Sequence, residues 1–139
     1  SAYKNNLENE DRLNQNYLRM SQFTKQVLRS IDYKKIFSIR RRNFLKIHSL
    51  LGSINEFPIN LESKTHMYYP FLIKDENLRY KLIENKLYNP FWWKHVLEIT
   101  KDTEIENILS RYTVMLPIDQ RYSTEDMHEI YKIVKKCIN

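Results

Sequence analysis

The side chains in this sequence that could do chemistry are few, and most stand alone. Four histidines, His48, His66, His95 and His128, are each separated by more than four residues, and the single cysteine, Cys137, lies nine residues beyond His128. Zinc sites draw ligands from short paired spacings, so no metal centre is expected. The serines are scattered, with no local base to activate one as a nucleophile. Gly52 is the only glycine. Phosphate-cradling loops, dinucleotide fingerprints and nucleophile elbows need several, for close backbone approach or strained turns. Those nucleotide-binding and hydrolase classes are excluded, and no catalytic residue is assigned.

Three constellations remain. Arg40-Arg41-Arg42 is a basic run. On a helix its members point about 100° apart and make no single patch. Arg40 falls within an apolar stripe, so its stem should lie on apolar surface with its head paired to a carboxylate or an anion. A structural pairing is the plainer reading, and Arg40 is the anion-contact candidate. Phe91-Trp92-Trp93-Lys94 is the densest aromatic cluster. Aromatic rings beside a cation can line a ligand cleft by stacking and cation–π contact, or can simply fill a core or an interface. Trp92, Trp93 and Lys94 are substrate-cleft candidates. In Leu116-Pro-Ile-Asp-Gln-Arg-Tyr122, Asp119 and Arg121 are close enough to bond within the loop. That pairing reads first as structural, and Arg121 is the fourth cleft candidate.

The elements that must position these groups follow from pattern. Residues 1–20 are polar and sparsely apolar, a weak N-terminal helical arm. Ser21 reads as an N-cap before Phe23, Val27 and Leu28. Asp32 should cap the strongest helix, with Ile36, Phe37, Phe44, Ile47 and Leu51 on one stripe and Gly52 as a left-handed stop. Met67–Ile73 reads as a buried strand in which Pro70 points to an edge or a bulge. A turn at Lys74–Asn77 leads to a short helix through Leu78, Leu82 and Ile83. Leu87–Trp92 is expected as a second strand, Thr103 as the cap of a helix through Ile105, Ile108 and Leu109, and Tyr112–Leu116 as a third strand closed by Pro117. Ser123-Thr-Glu-Asp126 opens the last helix as a capping box, and Lys135-Lys136 complement its negative end. The expected fold is α+β: a small three- to four-stranded, mainly antiparallel sheet covered by helices and preceded by N-terminal helices.

Bulk properties set outer bounds. A chain of 139 residues, 42% hydrophobic and 13% aromatic, suits one globular domain. No apolar run approaches the roughly 18 residues of a membrane span, and no leader pattern opens the sequence. One cysteine cannot form an internal disulfide, which makes a cytoplasmic setting the default expectation. The net charge of +6 comes from 23 basic and 17 acidic residues, interleaved along the chain. Nucleic acid therefore ranks low among expected partners.

Four segments in register resemble the DegT-type aminotransferase family. Leu116-Pro-Ile-Asp-Gln-Arg-Tyr-Ser-Thr-Glu-Asp-Met127 is similar to that family's closing strand, "DQRY" loop and helix. Met67-Tyr-Tyr-Pro-Phe-Leu-Ile73 resembles its "MYFP" strand, and Tyr88-Asn-Pro-Phe-Trp-Trp93 stands where the family often has "YCPVHW". Met20-Ser-Gln-Phe23, Asp32-Tyr33 and Arg41-Arg42-Asn43 fit its pre-strand helices. The resemblance implies that residues 21–139 are the small C-terminal domain of a fold-type I transaminase. Its large domain, which carries the cofactor aspartate and lysine, would be the partner, and the intact enzyme a homodimer. The implied reaction is amino transfer to a keto group, typically on a nucleotide-linked sugar, with pyridoxal phosphate as electron sink. No lysine here is assigned to that cofactor. The chain alone is expected neither to bind pyridoxal phosphate nor to be active, and it should present an apolar surface where the large domain docks. Trp92 stands at the family's histidine, which implies a divergent substrate or lost activity. The alternative is a non-catalytic nucleic-acid- or protein-binding module using the basic helix and exposed aromatics.

Overall fold

In the computed structural model, residues 19–62 and 66–138 are described. The chain divides into two units between Asp32 and Tyr33, twelve residues beyond the boundary expected after residue 20. The arm proposed for residues 1–20 lies almost wholly outside the described residues. In the first unit, helix α1 (Gln22–Arg29) starts as expected: the Ser21 side chain accepts a hydrogen bond from the Thr24 amide at 3.0 Å. None of its residues is buried, and Phe23 is 76% exposed.

The second unit opens with α2 (Tyr33–Leu51), directly after Asp32. Its buried stripe is Asn43, Phe44, Ile47 and Leu51, whereas Phe37 is exposed. Gly52 does not adopt a left-handed conformation; it enters a short 3-10 turn, Gly52–Ile54. A glycine is needed for a different reason. A Cβ there would sit 2.9 Å from Cε1 of His48, inside van der Waals contact.

The sheet has two strands among the described residues, β1 (Tyr68–Leu72) and β2 (Thr113–Pro117). They pair antiparallel, with Tyr68 opposite Pro117, Pro70 opposite Met115 and Leu72 opposite Thr113. Side chains alternate faces. Tyr69, Phe71, Val114 and Leu116 therefore share one face, and all are buried in the core with Phe44, Ile47 and Leu51 of α2. Helix α6 (Thr124–Ile138) packs on α2 and adds Met127, Ile130 and Val134. Pro70 carries no N–H, as an edge strand permits. The Asn55 side chain and the Glu56 amide take up the edge, accepting from the Leu72 amide and donating to the Pro70 and Leu72 carbonyls.

The expected α+β class holds, with a smaller sheet. Leu87–Trp92 is not a strand, because the end of α3 (Leu78–Glu84) and its neighbours use that backbone otherwise. The Lys86 amide bonds Ile83 O and the Leu87 amide bonds Leu82 O, with Lys86 at φ 62°. That pair of bonds is a Schellman stop, here on a lysine where glycine is usual. A short helix, α4 (Val96–Ile99), follows, then α5 (Ile105–Tyr112) running straight into β2. Glu104, not Thr103, is the residue that precedes α5, and it makes no side-chain cap. The last helix starts as its pattern requires. The Ser123 amide donates to Asp126 Oδ2 at 2.7 Å, and the Asp126 amide donates to Ser123 Oγ at 3.2 Å. No helix among the described residues is long and apolar enough to cross a membrane.

Candidate functional site

The period-two alternation that buries one sheet face places Tyr68, Pro70, Thr113 and Met115 on the other. No helix of the core covers these four. They floor an open cleft of about 550 Å³, within the size range of small-molecule sites. The segment after Pro90 lines it with Trp92, Trp93 and Val96, and α5 lines it with Glu106, Leu109 and Ser110. The surface is almost entirely apolar and aromatic, and Glu106 is its one carboxylate.

The tryptophan wall is held by buried polar groups rather than by a ladder. Ser110 Oγ, on α5, lies 3.3 Å from the Trp92 carbonyl and 3.1 Å from that of Trp93, donating between them. Trp93 sits at φ 53°, a left-handed conformation that costs a bulky residue about 1–2 kcal/mol. Upstream, Arg79 of α3 donates through Nη1 to Asn89 Oδ1 and to the Pro90 carbonyl, each at 2.8 Å, and through Nη2 to the Thr113 carbonyl at 2.7 Å. Its guanidinium lies 4.4 Å from the Phe91 ring centroid. Arg79 thus joins the loop to the first residue of β2. Burial lowers its pKa, the expected direction for a desolvated cation.

A second polar cluster fixes the loop after β2. Asp119, 3% exposed, accepts from the Arg121 amide at 3.0 Å and from its guanidinium at 2.9 and 2.8 Å. The Arg121 bond, ahead of the other contacts, holds this carboxyl below the usual range, and the same pairing raises Arg121. From α2, Asn43 Nδ2 donates to the Tyr122 carbonyl at 2.8 Å and more weakly to those of Ile118 and Asp119 at 3.3 Å. A third cluster buries the Tyr69 hydroxyl. Asn55 Oδ1 already accepts from two backbone amides, which turns its Nδ2 toward Tyr69. The hydroxyl accepts from Asn55 Nδ2 and shares a second hydrogen bond with His48 Nδ1, 3.0 Å away. Burial raises the Tyr69 pKa, partly opposed by the Asn55 bond.

The four cleft candidates therefore divide. Trp92 and Trp93 meet in one wall, and neither Lys94 nor Arg121 lines the cleft. Lys94 is exposed beyond the Trp93 turn. The Arg121 side chain, 74% exposed, folds back on Asp119. Arg40, the anion candidate, donates from Nε to the neutral amide oxygen of Gln120 at 2.8 Å, where a carboxylate or an anion was expected. Asp119 is close enough for the Arg40 charge to act on it.

No protein-family model matches this chain, and no curated protein sequence matches it.

Pattern reading missed Arg79, Ser110, Thr113 and Asn43, all of them buried. Only the last left a trace, as a polar residue adjoining Phe44 in an apolar stripe. No group of three metal-ligating side chains occurs among the described residues. Pyridoxal phosphate needs a lysine and a phosphate cup of amides or cations. Among the described residues, no lysine or arginine lines the cleft. Its residues do not fit the cofactor, and no chemical step is derived through it.

Proposed function

We propose that this chain is the small C-terminal domain of a DegT-type, fold-type I aminotransferase, which covers a substrate cleft formed with a large cofactor-binding domain. The observation that carries this reading is spatial. Three of the segments that resemble the family, at residues 41–43, 67–73 and 116–127, are far apart in sequence, yet they bond to one another. Asn43 of the Arg41-Arg42-Asn43 segment grips the Ile118–Tyr122 loop, and Arg40 reaches Gln120 within it. The "MYFP"-like and Leu-Pro strands pair directly. The helices stack on one sheet face while Trp92 and Trp93 border an open apolar cleft over the other, the arrangement expected of a lid. On this reading the large domain of the same protein is the partner, the intact enzyme is a homodimer, and Trp92 shapes a cleft for a keto substrate that differs from the family's usual nucleotide sugars.

The test is expression of the complete reading frame that encodes these residues. The purified protein is expected to bind pyridoxal phosphate, and borohydride is expected to fix it on a lysine outside residues 1–139. Fixation on a lysine within this chain, a complete protein with no affinity for the cofactor, or a reading frame coding for these residues alone would each overturn the proposal.

A further inference from the structure

We propose that the open cleft over the second sheet face is a binding site for a methylated ammonium group. Three observations converge on that chemistry, none of which depends on the aminotransferase reading. The rings of Tyr68 and Trp92 stand 5.5 Å apart at 85°, and those of Trp92 and Trp93 stand 5.7 Å apart at 73°. All three rings line the cleft, and an aromatic face there attracts a soft, weakly hydrated cation. Glu106 faces the same cleft and has no ion-pair partner among the described residues, although Arg111 on the same helix is engaged by Glu76 and Asp102. An aromatic surface with one unpaired carboxylate selects positive over neutral or negative guests.

The third is strain. Trp93 sits in a left-handed conformation, and the Ser110 hydroxyl of α5 donates to its carbonyl. Strain retained by a buried anchor marks a side chain kept in place for contact. Neither Lys94 nor Arg121 lines the cleft, and Arg121 is paired with Asp119; His66 is the one histidine among its described lining residues.

The test titrates the chain with choline while following the tryptophan indole N–H resonances by NMR. The comparison ligands are 3,3-dimethylbutan-1-ol, which replaces the quaternary nitrogen with carbon at nearly constant shape, and inorganic phosphate. Choline is expected to shift the Trp92 and Trp93 signals saturably, with affinity about 2- to 30-fold above the neutral alcohol, the range of an aromatic contact to a cation. Glu106→Gln should weaken choline several-fold and leave the alcohol unchanged. Equal affinity for choline and the alcohol, stronger shifts with phosphate, or no saturation with choline in the millimolar range overturns the proposal. Trp92→Leu should abolish binding. If that variant fails to fold, the ligand pair and Glu106→Gln still decide the matter. Lysine labelling tests the aminotransferase reading separately, so either can fail alone.

Discussion

Replacing Arg79 with methionine keeps an unbranched apolar stem of similar reach and removes every donor. The guanidinium is 8% exposed and satisfies three oxygens: Asn89 Oδ1 and the carbonyls of Pro90 and Thr113. Without it, the Asn89 and Thr113 oxygens are stranded inside, at about 1–3 kcal/mol for each buried unsatisfied group. Relief from burying a cation offsets part of this, since the effective desolvation penalty is several kcal/mol. The net loss should be about 2–4 kcal/mol, a large share of the roughly 5–15 kcal/mol typical of a domain. With a urea m-value of about 1–3 kcal/mol/M, the unfolding midpoint should fall by about 1–3 M. The loss should also be local. Hydrogen exchange should rise first in residues 87–93, and the Trp92 and Trp93 indole resonances should broaden, before the core strands loosen. Arg79→Lys should recover little, because one ammonium cannot reach three oxygens spread over two elements as a planar fork can. A midpoint within experimental error of the parent, with unchanged tryptophan signals, would refute the view that Arg79 holds the loop.

Three further outcomes are expected. Gly52→Ala should destabilise by about 1 kcal/mol, because its methyl drives the His48 ring off the Tyr69 hydroxyl; in a His48→Ala background the same change should turn neutral or stabilising, read as the coupling in a double-mutant cycle of thermal midpoints. Asp119 has a folded pKa below its unfolded value of about 3.9, so its contribution is fully present above that pH and is lost as pH falls through the folded value; Asp119→Asn should lower stability at neutral pH and flatten the acid limb of a stability–pH profile. Ser123→Ala should cost about 1 kcal/mol by chemical denaturation, because it removes one half of the reciprocal cap on α6.

Legibility in the sequence followed the range of the determining interaction. The start of α6 was readable because Ser123 and Asp126 cap each other across three residues. Both strands were readable because alternation is local, and Pro70 announced the edge. The segment 87–92 was misread as a strand because its composition suits one. What decides its path is Arg79, reaching across from another helix, and a Schellman stop built on Lys86 without the glycine that usually betrays it. Gly52 carried the opposite trap: it stands at a helix end, yet its role is steric, set by the His48 ring one turn earlier. In the candidate site, the tryptophan pair was visible as an aromatic cluster. That Lys94 and Arg121 point elsewhere was not visible, since it depends on the left-handed turn at Trp93 and on the buried Asp119.

A two-stranded sheet is marginal in water and needs packing on at least one face. Here α2 and α6 supply that packing on the face of Tyr69, Phe71, Val114 and Leu116. The other face is thereby released from the need to build a core. It can carry features a core would exclude: a proline at a ladder position, a threonine hydroxyl with no partner, and tryptophans left partly exposed. Each costs stability, and each sits on the same cleft. Were that face only an unfinished core, its polar anchor would be dispensable, and apolar substitution at Ser110 would leave the protein no less stable. The strain at Trp93, maintained by a serine 17 residues away, argues instead that the aromatic wall is held against its own preference for the sake of contact with a ligand.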